Sequence, residues 1–323
     1  MKKILVTGGT VFVSKSVAEY FSSESSCGTR YEVFVLNRGS REVPEGTHLI
    51  RADRTDASSL KTALAGYDFD VVIDVCAYTG ADIQNLLSAI KMPETYILIS
   101  SSAVYPETEV QPFTEKTRTG RNSFWNDYGT NKIEAEKALF SQKSDAYAIR
   151  PPYLYGPGNN VYREAFAFDC AEQGRAFYLP KNGRMRMQFY YIEDLCKILK
   201  IIIDQKPSEH IINVGNESSI SVLEWVRLCY KAVGADFTSK NVPESLGIEQ
   251  RNYFPFYDYE YFLDVSIQKS LFKGDCMGKT LTTTSLEEGL KKSYEWYRKN
   301  KDKVRRKEYI DFIDGNFGQD ASS

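Results

Sequence analysis

The sequence predicts an α/β protein: a parallel, doubly wound sheet followed by a smaller C-terminal α/β domain that binds substrate. Three observations predict it. Short strand-like and helix-like segments alternate through the first half of the chain. A glycine-bearing turn, "VTGGTVFVSK" (6–15), follows the first strand. The alternation stops at a Pro/Gly-rich stretch, "RPPYLYGPGN" (150–159).

In chain order, the predicted strands are 3–7, "YEVFVL" (31–36), "HLIRAD" (48–53), "FDVVIDV" (69–75), "TYILISS" (95–101) and "AYAIR" (146–150). They are rich in β-branched and aromatic residues and apolar without strict alternation, as strands covered on both faces are. Helical stretches at 13–23, 56–65, 81–91 and 128–143 separate them. Strands joined in this way pair in parallel and bind ligands at their C-terminal ends. After the boundary come a helix at 160–173, a strand around 187–191, a helix from 193 and a core strand in "HIINVG" (210–215). Ser221 opens a further helix with a Ser-Val-Leu-Glu capping box. An aromatic-rich loop (253–262) and a last helix (286–299) follow, and the tail "GQDASS" is expected to be disordered.

Composition narrows the function. Of 323 residues, 42% are hydrophobic and 26% charged, and the net charge is −2, which offers no electrostatic footprint for nucleic acid or an anionic membrane. The basic run "KNKDKVRR" (299–306) reads as a solvated helix end. The six cysteines form no CxxC pair and lie near no histidine at metal-ligand spacing, so no metal site is expected and they read as reduced thiols of a cytoplasmic protein. The N-terminal apolar run is too short for a signal peptide, and no apolar run reaches the roughly 18 residues of a membrane span. The only histidines are His48 and His210, so proton transfer would fall to another residue type.

The turn at 6–15 stands where a pyrophosphate cradle would. Gly8 and Gly9 allow the turn, Thr10 continues it, and the backbone at Phe12 and Val13 would face the phosphates from the helix start. Val11 and Ser14 occupy the second and third glycine places, so a plain strand–helix connection is the competing reading. At the end of the second strand, Asn37 replaces the customary ribose-binding acid and Arg38 follows it. That exchange favours NADP over NAD, because an arginine can clamp a 2′-phosphate that a carboxylate would repel. A surface arginine is the alternative. Asp53, followed by Arg54, can accept from an adenine amino group, or Asp53 or Asp56 can cap the next helix.

"YGTNK" carries the strongest chemistry. On a helix, Tyr128 and Lys132 share a face, and the ammonium favours the phenolate. Chance alone produces such a spacing in a chain with 22 tyrosines. The context adds weight: "ILISSSAVYP" brings hydroxyls to the rim of the fifth strand, and "IRPPYLYGPG" follows the sixth.

Together these segments resemble an extended short-chain dehydrogenase/reductase of the NAD(P)-dependent epimerase/dehydratase superfamily, with a Rossmann-type fold. The resemblance runs over residues 3–216, through "ILVTGGTVFVS", "LIRADRTD", "VVIDVCAY", "YILISSSAVYP", "YGTNKIEAEKAL", "AIRPPYLYGPGN", "MQFYYIEDL" and "INVGN". It implies a catalytic Ser101, three places before Val104, with Tyr128 and Lys132. It places Val75, Cys76, Ala77, Ser100, Pro151 and Tyr153 along the cofactor, and Tyr78 and Ser102 toward the substrate. It implies domains of 1–155 with about 187–215 for NAD(P), and 156–186 with 216–323 for a sugar nucleotide or related hydroxyl or carbonyl compound. Arg184 and Arg186 could hold a substrate phosphate or simply sit on the surface. A homodimer on the Tyr128 helix and its neighbour fits the family. The "GGTxFV" turn with "NRG" is similar to an atypical branch, some members of which keep the fold without redox chemistry and whose chloroplast relatives bind RNA. A vestigial cofactor-sensing or RNA-associated module is therefore the second expectation, opposed by the acidic net charge.

Overall fold

The computed structural model describes residues 1–23, 30–273 and 281–317. Cys27, Cys276 and the tail 318–323 lie outside the described residues. The chain divides into two compact units, the first comprising Met1–Leu154, Tyr190–Glu217 and Leu263–Thr283.

The first unit is built on seven strands: β1 (Lys2–Thr7), β2 (Tyr31–Asn37), β3 (Thr47–Arg51), β4 (Val71–Asp74), β5 (Thr95–Ile99), β6 (Tyr147–Arg150) and β7 (Ile211–Asn213). Their order is β7-β6-β5-β4-β1-β2-β3, and every pair is parallel. The fold is the doubly wound α/β sheet the alternation predicts. The chain reverses direction across the sheet between β1 and β4, the place where such sheets bind ligands.

Its helices are α1 (Phe12–Ser22), α2 (Ala57–Leu64), α3 (Gly80–Leu87), α4 (Asp127–Gln142), α5 (Ile192–Gln205) and α6 (Ser266–Lys273). Successive strand side chains point to opposite faces. Ile4 and Val6 join Val17 and Phe21 of α1 and Leu195, Ile198 and Ile202 of α5 in one apolar layer. Leu5 points the other way, to Leu60 and Leu64 of α2, Ile83 and Leu86 of α3, and Leu139 of α4. Both faces are therefore covered, which is why the strands read as continuous apolar runs. Asp56 caps α2, accepting from the N–H groups of Ser58 and Ser59, and Thr79 with Asp82 forms a capping box on α3.

Three expected segments are placed differently in the structure. Residues 263–283, expected with the substrate domain, belong to the first unit. The reason is packing: Phe272 of α6 enters the α1/α5 layer, and buried Gln268 exchanges two hydrogen bonds (2.8 and 3.0 Å) with the backbone of Gly215. The strand expected around 187–191 is broken at Gln188; Met187 pairs with Ile220 in the second unit. The helix predicted at 286–299 spans Leu286–Tyr297 and is not the last, because Tyr309–Phe317 forms another.

The second unit comprises Tyr155–Phe189, Ser218–Phe262 and Thr284–Ser323. Helices Glu164–Glu172, Val222–Val233 and Leu286–Tyr297 pack around an aromatic core, with a short parallel pair formed by Phe177–Pro180 and Ser239–Val242. Buried Trp225 stacks on Phe189 at 5.8 Å and meets the edge of Phe256 at 5.2 Å. The Ser221 capping box forms as its sequence predicts. The basic run is not a free helix end. Lys301 pairs with Glu172, Arg306 lies 3.3 Å from Asp169, and Val161 bridges Arg305. Asp169 also accepts from the hydroxyls of Tyr162 and Tyr297, each at 2.7 Å.

Candidate functional site

The site residues of the first unit gather at the C-terminal ends of β1, β2, β4 and β5. Gly8 and Gly9 adopt φ of +91° and +75°, where a side chain is strained. A Cβ on Gly8 would stand 2.7 Å from Cys76 Sγ and 2.8 Å from Ser14 Oγ; on Gly9 it would stand 2.5 Å from Val35 Cγ1. Both glycines are thus required by close packing beneath the turn. Ser14 fills the third-glycine place, buried, with its hydroxyl donating to the Val11 carbonyl at 3.1 Å. Val11 is extended (φ −138°) and gives α1 no side-chain cap, and Phe12 opens the helix at φ +33°. The leading N–H groups of α1, from Phe12 and Val13 onward, have no intrahelical acceptor.

Thr7 ends β1 as a hub. Its hydroxyl donates to Asp74 at 2.7 Å and accepts from the N–H groups of Val75 and Cys76, each at 3.0 Å. Asp74 is fully buried and also accepts from Tyr96 (2.7 Å) and both terminal nitrogens of Arg54 (2.8 and 3.1 Å). Burial opposes its ionisation, but Arg54, Thr7 and Tyr96 outweigh that and hold its carboxyl below the usual range. Arg54, expected beside the cofactor, turns its guanidinium onto Asp74 and the Asp82 carbonyl. Burial pushes the Cys76 thiol up.

Asn37 does more than vacate an acid position. Its amide donates to the Gly8 carbonyl and accepts from the Gly39 N–H, both at 2.7 Å, and so ties the β1 turn to the β2 turn. A carboxylate could make only the second bond. Arg38 is exposed at the rim of a cavity of about 540 Å³, which Gly8, Asn37, Ala52, Asp53, Cys76 and Tyr78 also line. Asp53 accepts from the N–H and hydroxyl of Thr55 (2.9 and 2.7 Å), and these bonds hold its carboxyl below the usual range. The helix cap is Asp56, so Asp53 is not spent on it.

Tyr128 and Lys132 stand in the first turns of α4. The helix can approach the short turn Ser102–Val104 because residue 129 is glycine; a Cβ there would collide with the Ala103 carbonyl. Lys132 is 2% exposed, and its ammonium donates to the carbonyls of Ala77 and Ile99, both at 2.8 Å. Burial pushes its pKa down to about 8, against the pull of Asp74. The Tyr78 ring lies 5.0 Å from the ammonium, and the Tyr78 and Tyr128 rings are 6.5 Å apart. Trp125 lies beside both Tyr128 (6.2 Å) and buried Tyr153 (6.0 Å). The Ser101 hydroxyl accepts from the Ala103 N–H at 3.2 Å.

The remaining expected residues are placed as follows. Ser100 is buried, and its hydroxyl donates to Glu136. Ser102 is buried, with its N–H on the Pro151 carbonyl at 2.9 Å. Arg184 and Arg186 belong to the second unit; Arg184 is exposed and Arg186 is bonded to Ser219. Sequence reading missed the knot of Thr7, Asp74 and Asp82, and the buried chain beneath α4. In that chain Arg150 pairs with Glu136 (2.6 and 3.0 Å) and donates to Tyr105, whose hydroxyl donates to Asn213 (both 2.8 Å). One signal was available for the knot: a carboxylate inside the apolar run "VVIDV" requires a partner.

Residues 4–215 match the family described as "NAD dependent epimerase/dehydratase family". A curated relative, the chloroplast stem-loop binding protein of 41 kDa b from Arabidopsis thaliana, is 27% identical over 289 residues, covering 83% of this chain and 73% of its own. The UDP-glucose 4-epimerase of Thermotoga maritima, solved with UDP-glucose, superposes with a TM-score of 0.72 at 19% identity, over 92% of this chain and 99% of its own. The UDP-glucuronic acid 4-epimerase of Bacillus cereus, solved with NAD, gives 0.70 at 21% identity, over 92% and 99%. The chain belongs to the NAD dependent epimerase/dehydratase family, a family of enzymes.

Proposed function

We propose that this member of the NAD-dependent epimerase/dehydratase family is an enzyme of epimerase, dehydratase or reductase type, acting on a hydroxyl or carbonyl of a sugar nucleotide or related compound. One observation carries the reading: a buried ammonium, Lys132, lies on the same helix face as the half-exposed Tyr128, at the ends of β4 and β5. In this reading Tyr128 takes or gives the proton at the substrate oxygen. Lys132 favours its phenolate and holds ribose hydroxyls, and Ser101 hydrogen-bonds the reacting oxygen. The nicotinamide, when bound, accepts or supplies hydride.

The residues present suit a dinucleotide. The cavity of about 540 Å³ adjoins the Gly8 turn, the uncapped start of α1 and the carboxylate of Asp53. Val75, Cys76, Ala77, Pro151 and Tyr153 would complete its walls. NADP is the proposed preference, because Asn37 places no carboxylate at the end of β2 and Arg38 is exposed at the cavity rim. The second unit is the proposed substrate domain, with Arg184 and Arg186 toward a phosphate. Among the described residues no helix is long and apolar enough to cross a membrane, and cytoplasmic residence is part of the proposal. A homodimer on α3 and α4 would bring together polar exposed residues, among them Gln84, Ser88, Asn131, Glu134 and Lys137.

The Arabidopsis relative favours a second reading, a stem-loop-binding module. Calorimetry with NAD, NADH, NADP and NADPH separates the two, alongside a gel shift with an RNA hairpin. Binding of NADP or NADPH without a hairpin shift supports the enzyme. No binding of any of the four cofactors sinks it, and tighter NAD than NADP binding removes the reading of Arg38. Turnover of UDP-sugars unchanged in Tyr128→Phe removes the acid/base assignment.

A further inference from the structure

We infer that Tyr78 is a positioning residue that acts through Lys132, its ring face capping the buried ammonium so that the lysine stays charged and held at the cleft. The consequence for cofactor binding rests on the function proposed above; the capping itself rests on this chain's geometry alone.

The ammonium has three N–H donors. Two are taken by the carbonyls of Ala77 and Ile99. The Tyr78 ring stands 5.0 Å away, within cation–π range. The acids nearest the lysine are committed elsewhere: Asp74 to Arg54, and Glu136 to Arg150. Its charge is therefore balanced at contact by two carbonyl dipoles and one aromatic face. Such a balance is costly to lose in a dry site.

The ring is anchored where it is needed. Tyr78 directly follows Ala77, whose carbonyl binds the ammonium, and its N–H donates to Asp82 at 2.9 Å in the capped start of α3. It is nonetheless 52% exposed and lines the cavity, so it spans the space between the dinucleotide cleft and the lysine. A leucine keeps apolar cover beside the lysine but has no π face. That difference separates capping from mere cover.

The charged and titratable groups around Lys132 are Asp74 and Cys76 at the end of β4, Arg54 beyond β3, Glu136 on α4, and the tyrosines 78 and 128. Asp74 and Glu136 favour the ammonium, while burial and Arg54 oppose it; the Cys76 thiol, pushed up by burial, stays neutral there. Replacing the ring by an apolar side chain keeps these charged groups in place and removes the π face, so the lysine's pKa is expected to fall.

The test titrates Lys132 by NMR of ¹³Cε-lysine in the unliganded protein, with its signal assigned by loss in Lys132→Met. Tyr78→Leu should lower the midpoint by about half to one pH unit, the size of one cation–π contact. Tyr78→Phe should leave the midpoint at its wild-type value, since the π face is kept. Far-UV circular dichroism checks that both variants fold, and Tyr78→Met repeats the apolar arm. An unchanged midpoint in Tyr78→Leu and Tyr78→Met overturns the inference. A fall in Tyr78→Phe as large as in Tyr78→Leu assigns the effect to the hydroxyl and overturns it too. In a second arm, NADPH affinity is measured against pH. It should weaken as pH rises through the lysine midpoint, and weaken at lower pH in Tyr78→Leu. Failure of the wild type to bind any of NAD, NADH, NADP and NADPH refutes the proposed function while the NMR result on Tyr78 stands.

Discussion

Replacing Asn37 by aspartate restores the acid usual at the end of the second strand, and the structure predicts that this harms the fold. The asparagine amide donates to the Gly8 carbonyl and accepts from the Gly39 N–H, both at 2.7 Å. Aspartate keeps the second bond and turns the first into two oxygens facing each other. Loss of the bond, with the Gly8 carbonyl left unpaired in a half-buried site, costs about 1–3 kcal/mol. Urea unfolding should show that loss in Asn37→Asp at pH 7. The carboxyl beside a carbonyl oxygen has its folded pKa raised, because only the protonated form can donate. The folded state then binds more protons than the unfolded one, so the penalty should shrink as pH falls through that raised value and grow as pH rises. The same variant should lose NADPH affinity and regain some for NADH, since a carboxylate repels a 2′-phosphate. Stability equal to wild type across pH 4 to 8 would refute the strut, whatever happens to the cofactors.

Three other outcomes follow from the same geometry. Glu136→Ala leaves the Arg150 guanidinium buried without its bidentate partner and should cost about 3–5 kcal/mol in urea; a loss below about 1 kcal/mol would show that the pair contributes little. Asp74 has a depressed folded pKa, so its contribution is present above the unfolded carboxylate value near about 4 and lost as pH falls below it. Asp74→Asn should therefore be less stable at pH 7 and show a flatter acid limb by circular dichroism, and an unchanged limb would contradict that reading. Gly8→Ala must place a methyl against Cys76 and Ser14 at φ +91°. It should cost about 1–3 kcal/mol and weaken dinucleotide binding by calorimetry; a variant as stable as wild type would mean the turn can relax.

Local patterns carried most of the architecture. Apolar strands alternating with helices dictated the parallel sheet, because only strands covered on both faces can be apolar throughout. The spacing of Tyr128 and Lys132 put both on one helix face, and paired glycines after β1 announced a turn with positive φ. Some signals were local yet misread. The strand at 187–191 is broken at Gln188, and the final helix Tyr309–Phe317 escaped notice behind a basic run whose charges pair with Glu172 and Asp169.

The partners of polar groups lay beyond reach of the sequence. Asn37 bonds a carbonyl 29 positions away, Arg54 pairs with an acid 20 positions away, and Lys132 donates to carbonyls 55 and 33 positions away. Gln268 brings its segment back to the first unit through a glycine 53 positions earlier. Periodicity reports which face a side chain occupies, since it follows from the geometry of a single element. It is silent on what the opposite element presents, and a hydrogen bond needs both ends. The sequence by itself therefore determined the sheet, the turn and the tyrosine–lysine face. Only the tertiary structure decided that Asn37 is a strut, that Arg54 serves Asp74, and that a tyrosine ring stands over the buried lysine.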